Sequence, residues 1–475
     1  MKGENGNIIF VIISLIMAIL LTPNINEEFN SSKVFILSLL AFVNVVFFWL
    51  TTNRYTRSWV NYNTLFLLGF LIVHFQIPFL ASLGVEPNRS SFIWINKNVV
   101  NFAVWMSLMA LFFWELGYFL YRKLRKKRIL KKITSYNVNT KKIDFFLQFF
   151  FVLFIALVGK EFLSGSYDGG DNWGSGANYA FMLLRVLIYL RVIYFFINTR
   201  NFKITKKNII FLLIRNKRLF IVLSLYVLLF LLAGDRGPVM QILILLAVSY
   251  SIFQRKISFK AFFVSIIIGG VLFTIIGMGR SRDTSQRSMS LFEEGYNKLI
   301  QSENTINPTN ELASSNRILF RAIDVVPDKH PYLLGTTFFN EVIGVVPFAG
   351  GTYLKLTELP LMYTSSSYFF TVLGQGVHFS YGEGSEILGD IYINFGVIGV
   401  FIMMFLLGGW VSYIIFNVEK NNYYNHTYII IYVIICIGAL YINRSHFLDP
   451  LKSIVYALVI DRLLVRKNIK WEQRK

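Results

Sequence analysis

The chain has 475 residues, of which 55% are hydrophobic, 17% aromatic and only 15% charged, a composition too apolar and too poor in charge to surface a soluble globule of this length. Its net charge of +21 does not point to nucleic acid, because the lysines and arginines lie between apolar runs and do not gather on one face. The single cysteine, Cys436, stands inside an apolar run and excludes an intrachain disulfide.

Twelve runs approach the roughly 20 residues that cross a hydrocarbon core: 7–22, 33–51, 62–83, 99–121, 144–163, 180–198, 219–234, 237–253, 260–279, 391–416, 425–442 and 451–466. The first follows an early lysine and lacks an Ala-x-Ala cleavage pattern, so it reads as a retained helix. Placing both termini in the cytoplasm makes alternate linkers cytoplasmic, and basic charge should mark those. The linker Arg122 to Lys142 carries ten Lys or Arg, Arg200 to Arg218 carries seven, and Arg255, Lys256 and Lys260 mark a third. By contrast, Thr22 to Ser32 and Ser164 to Tyr179 carry acids and no basic residue.

The reading is therefore an all-α integral membrane protein of about 12 transmembrane helices in a bacterial cytoplasmic membrane. Helices 1–9 occupy 1–279, one large extracytoplasmic loop occupies 280–390, and helices 10–12 with a short basic tail occupy 391–475, all one membrane domain. So long a loop should hold structure of its own. Met289–Ser302 and Leu312–Val326 have apolar residues at helical spacing and predict helices lying on the membrane surface. Gly335–Tyr353 and Ser365–Gly384 are rich in turn formers and predict folded, partly re-entrant loops.

Walker, HExxH, CxxC, GxSxG and dinucleotide motifs are missing, so no cofactor and no metal is expected. Polar groups at the outer face remain. Gly234-Asp235-Arg236-Gly237-Pro238 makes a tight outer turn holding Arg236. That arginine either snorkels to water or grips an anionic head group, for which its rigid, permanently charged fork suits a diphosphate. Arg280 and Arg282 follow the ninth run, Arg444 and His446 stand in the turn before the twelfth, and Arg185 and Arg191 lie within the sixth. An arginine near a helix centre costs about 2.5 to 3.5 kcal/mol and needs compensation, from a polar cavity, a lipid phosphate or, for Arg191, snorkelling toward the cytoplasm. Glu386 and Asp390 are four apart at the outer mouth of a helix, followed by Tyr392 and Asn394 and preceded by His378 and Glu383. These acids either favour the helix's positive end or supply a general base.

Gly-Asp-Arg-Gly after a long helix, a large outer loop, then Glu-x-x-x-Asp-x-Tyr-x-Asn-Phe-Gly-x-x-Gly (386–399) resemble the Wzy-type oligosaccharide repeat-unit polymerases. So do His330 to Phe338 and Val345-Val346-Pro347, although the family's commoner proline-arginine reads Pro347-Phe348 here. The resemblance implies transfer of a growing glycan from one polyprenyl diphosphate to another lipid-linked repeat on the outer leaflet, as a metal-independent glycosyl transfer. It implies Arg236, Arg280, Arg282, Arg444 and Arg185 as diphosphate ligands, and Glu386, then His378, or Asp390 as the base. Tyr392, Asn394 and His446 become glycan-binding or structural. The partners implied are polyprenyl-diphosphate-linked oligosaccharides and membrane lipid, with a chain-length regulator and a flippase of the same pathway. Two rivals share these features: an O-antigen-ligase-like transferase with another acceptor, and a non-enzymatic transporter or flippase, which would need a midplane site and paired broken helices.

Overall fold

The computed structural model describes residues 2–56, 58–87, 89–124, 133–163, 173–174, 176–205, 207–279, 291–301, 309–420 and 425–471. The first part of the chain forms α1 (Lys2–Leu20), α2 (Ser31–Thr56), α3 (Tyr62–Ser82), the single turn α4 (Ser90–Ile93) and α5 (Val100–Leu124). Strand β1 (Ile133–Asn139) leads into α6 (Lys141–Leu157), α7 (Lys160–Leu163), α8 (Ala177–Thr199), α9 (Ile209–Arg215), α10 (Lys217–Leu232), α11 (Arg236–Phe253) and α12 (Phe259–Met278). The loop region holds α13 (Leu291–Gln301), α14 (Asn310–Ala313), α15 (Asn316–Val325), α16 (Thr336–Ile343), α17 (Ala349–Thr357) and α18 (Ser366–Gln375). The chain closes with α19 (Ile387–Lys420), α20 (His426–Gly438), α21 (Asp449–Leu464) and strand β2 (Arg466–Trp471).

Eleven of the twelve apolar runs centre on one helix each, and the fifth, 144–163, divides between α6 (Lys141–Leu157) and α7 (Lys160–Leu163). Among the described residues, seven segments are long and apolar enough to cross a membrane: Ser31–Thr52, Tyr62–Ser82, Lys97–Leu124, Ala177–Thr199, Arg236–Phe253, Phe259–Met278 and Ile387–Glu419, with Asn5–Leu20 and His426–Gly438 shorter apolar helices. The all-helical expectation needs one amendment. β1 and β2 pair antiparallel, with Val138 opposite Lys467, and tie the basic linker to the chain's end. Asn198 explains the placement, since its side chain receives the Val138 amide (3.1 Å) and donates to the Val138 carbonyl (3.0 Å), as a neighbouring strand would.

The core of the bundle is the pair α5 and α19. Between apolar helices in lipid the transfer of a side chain from tail to protein gains little, so close backbone approach must supply the attraction. Glycines permit it: a Cβ at Gly117 would lie 2.0 Å from the Phe405 carbonyl, and one at Gly408 2.0 Å from the Trp114 carbonyl. Within the neighbouring group, Arg191 is compensated by protein and not by snorkelling. Its Nε donates to Asp144 of α6 (2.6 Å) and its Nη2 to Asn216 (2.8 Å).

The loop is docked, not draped. α15 was expected on the surface, yet Asn316 to Phe320 are all buried. Its charges are satisfied inside, Arg317 bonding Glu383 at 2.8 Å and Arg321 lying 3.3 Å from the same carboxylate, so its apolar face packs on the bundle without stranding ions. Asn316 donates to the His74 carbonyl (3.2 Å) and Thr309 to Gln76 (2.7 Å), fixing this end of the loop on α3. The two turn-rich stretches hold helices α16, α17 and α18. The run expected to begin at 391 begins at Ile387 and is broken at Gly396, whose φ of 65° lies in the left-handed region. Glycine tolerates that conformation where an L side chain is strained. The break frees the Ile393 carbonyl, which accepts the Leu333 amide (2.8 Å), while Asn394 accepts the Gly335 amide (3.1 Å). The loop thus completes the hydrogen bonds that the helix forgoes.

Candidate functional site

At the end of the bundle that carries the loop, local sequence fixes an arginine. Gly234 takes φ 74° to end α10, Asp235 caps α11 by accepting the Gly237 amide (3.2 Å), and Pro238 falls in the first turn, where no amide is needed. Arg236 is therefore the first residue of α11, at the positive end of its dipole. Its guanidinium pairs with Glu311 of α14, and the other oxygen of Glu311 lies 3.5 Å from Arg444 Nη1. Two arginines remote in sequence converge on one carboxylate that is half exposed.

Arg444 ends a 3₁₀ turn, and the residues after it build the second half of the site. His446 Nδ1 lies 3.0 Å from Glu341 Oε2 of α16, and its Nε2 lies 3.8 Å from Asp449 Oδ1. Phe447 donates its amide to Asp390 Oδ2 (2.8 Å). Asp390 is wholly buried, and its Oδ1 makes no hydrogen bond among the described residues. Burial opposes a charge on His446, but the bond to Glu341 and the fields of Glu341, Asp449 and Asp390 prevail, and its pKa is pushed up to about 9. His446 thus sits among three acids, Glu341, Asp449 and Asp390.

Arg185 lies apart from this pair, between α8 and α21. Its Nη2 reaches Ser453 Oγ (3.4 Å), its guanidinium lies 5.7 Å from the Phe181 ring centre, and its Nε is buried without a hydrogen bond. Tyr189 beside it donates to Gln241 (2.7 Å).

The other expected residues divide. Glu386 is wholly buried, its two oxygens accepting the Leu388 (2.8 Å) and Gly389 (2.7 Å) amides, with His74 Nε2 at 3.3 Å. Burial is the largest influence on its carboxyl, whose pKa rises to about 8 against the pull of those two amides. Tyr392 donates to the Val326 carbonyl (3.0 Å), and Asn394 bridges Thr337 and the Asp390 carbonyl (each 2.8 Å). His378 is exposed beyond α18. Arg280 and Arg282 lie outside the described residues. The sequence singled out Glu383 among the acids upstream of α19, but not Glu311, Glu341, His74, Arg317 or Arg321. Lone acids on short loop helices carry no spacing signal; the amphipathic pattern of 312–326 marked a helix but not its burial.

A helical membrane protein with arginines, acids and a histidine gathered at one end of its bundle is suited to handling an anionic, lipid-borne substrate. The family model described as O-antigen polysaccharide polymerase Wzy matches residues 7–466, and the chain belongs to that family. Comparison with curated proteins and with solved structures gave no match. Membership makes the chain a membrane enzyme of polysaccharide polymerisation.

Proposed function

We propose that the chain joins polyprenyl-diphosphate-linked oligosaccharide repeat units into cell-surface polysaccharide on the outer face of the cytoplasmic membrane. Twelve spans with both termini cytoplasmic would turn the loop end outward, in agreement with the basic linkers. The acceptor sugar hydroxyl attacks the donor's anomeric carbon, the bond from that carbon to the diphosphate oxygen breaks, and the polyprenyl diphosphate leaves. Arg236 and Arg444 neutralise the charge that develops on this leaving group, with Arg185 deeper in the bundle; Arg280 and Arg282, which lie outside the described residues, are further candidate ligands from the sequence. Permanently charged guanidinium groups do this without a divalent ion, so activity should survive a chelator.

Asp390 takes the acceptor proton. Glu386, enclosed by its amide bonds, sets the first turn of α19 and so the position of Asp390 one turn on. The exposed His378 and the bridging Tyr392 and Asn394 serve the glycan and the loop. The observation that carries this reading is the turn 443–449: it supplies Arg444 to the anion corner and, through His446 and the Phe447 amide, orders the acids, holding the two halves of the reaction together.

A flippase of the same pathway would deliver the repeats, and a chain-length regulator would set when transfer stops. Deleting the gene tests the reading: single lipid-linked repeats should accumulate at the outer face while polymer disappears. Repeats held on the cytoplasmic leaflet would instead identify a transporter, and intact polymer that fails to reach its final acceptor would identify a ligase.

A further inference from the structure

An apolar groove of about 380 Å³ opens between α19, the end of α20 and the start of α21, lined by Met403, Leu407, Trp410, Gly438, Phe447 and Ile454 among others. It opens on the side of the bundle, where Leu406 is 55% and Trp410 38% exposed. Its upper lip, Phe447 to Pro450, directly follows Arg444 and His446, and the Phe447 amide is the one bonded to Asp390. We infer that this groove holds the first isoprene units of the polyprenyl chain of the lipid-linked donor, an inference that rests on the polymerase reading.

The occupant follows from where the groove begins. A tail moving from bilayer to an apolar wall gains almost nothing by transfer, so bulk acyl chains have no reason to be held there. A chain anchored by its diphosphate on Arg236 and Arg444 differs, because its first carbons are delivered to the adjoining lip whatever the wall offers. The wall then adds dispersion contacts from Phe447, Trp410 and branched aliphatic side chains, which suit a methyl-branched chain. The groove therefore contributes binding shared by the ground state and the transition state.

Gly438 gives a clean test, since a Cβ there meets nothing within 4 Å, so Gly438→Phe fills the groove without a clash at its root. Full-length protein in vesicles would be irradiated with a diazirine-bearing polyprenyl diphosphate and the labelled peptides mapped. Label is expected in 403–410 and 447–454, and Gly438→Phe should remove it. That variant should also raise KM about tenfold for long-chain lipid-linked repeats isolated from cells lacking the gene, with kcat unchanged and with short-tailed donors used as by wild type. Label elsewhere, an unchanged KM, or label that excess phospholipid abolishes would overturn the groove assignment while wild-type polymer formation keeps the polymerase reading. Wild-type protein that forms no polymer from those repeats would sink that reading, and the groove's occupant with it.

Discussion

Asp390 and Glu386 show how one spacing can serve two purposes. Four residues apart, they read as a pair on one helical face; in the structure Glu386 precedes α19 and spends both oxygens on its first amides, while Asp390 alone turns to the His446 turn. Asp390→Asn should lower polymer formation by at least about 100-fold, the usual range for a lost general base, with the variant still in the membrane; near-normal polymer would move the base elsewhere. Glu311 pairs with both arginines proposed to hold the diphosphate. Because an exposed ion pair is worth only about 0–1 kcal/mol, Glu311→Gln should hardly change stability yet tighten binding of inorganic pyrophosphate severalfold, measured by calorimetry. Weaker binding would show that Glu311 builds the site and does not merely fill it. His446 makes a pH prediction. Its folded pKa, raised to about 9, means that the stability it contributes is fully present below its ordinary value of about 6.5 and is lost as pH rises through 9. Activity that needs the ordered turn should fall over the same upper window, and a His446→Gln variant should lose that limb of the profile. The arginine turn could be read from sequence because glycine, proline and a capping aspartate are local signals. Glu311 and Glu341 could not, because their partners lie far along the chain.

Helices were plain in the sequence, since each apolar run had the length and texture of one, but breaks and docking were not. The interruption at Gly396 is hidden because both sides of it are equally apolar, and the glycine shows its purpose only against Tyr332, whose hydroxyl would lie 3.1 Å from a Cβ there. α15 was recognised as amphipathic but set on the wrong surface: nothing in its own residues reveals that Glu383, more than sixty positions away, neutralises Arg317 and Arg321. Glu383→Ala would leave both guanidinium groups without their carboxylate. A loss of about 3–5 kcal/mol is expected for such a stranded buried ion, read as a lower unfolding temperature in detergent with the loop sensitive to protease. Unchanged melting would mean that the cluster does not hold the loop.

At the scale of the molecule, composition pointed to a membrane protein, and the pattern of basic linkers led to the expectation that the loop end faces outward. The bundle brings together residues from α11, α14, α16, α19 and the turn before α21, five separate stretches whose convergence no linear motif announces. What they form is an arginine corner beside an acid cluster, joined by a single turn and adjoining a lipid-facing groove. Purified wild-type protein in vesicles, supplied with lipid-linked single repeats and chelator, tests that arrangement most directly. The account predicts a ladder of glycan lengths with polyprenyl diphosphate released at each step, and its loss in Arg236→Ala; an unchanged ladder in that variant would contradict it.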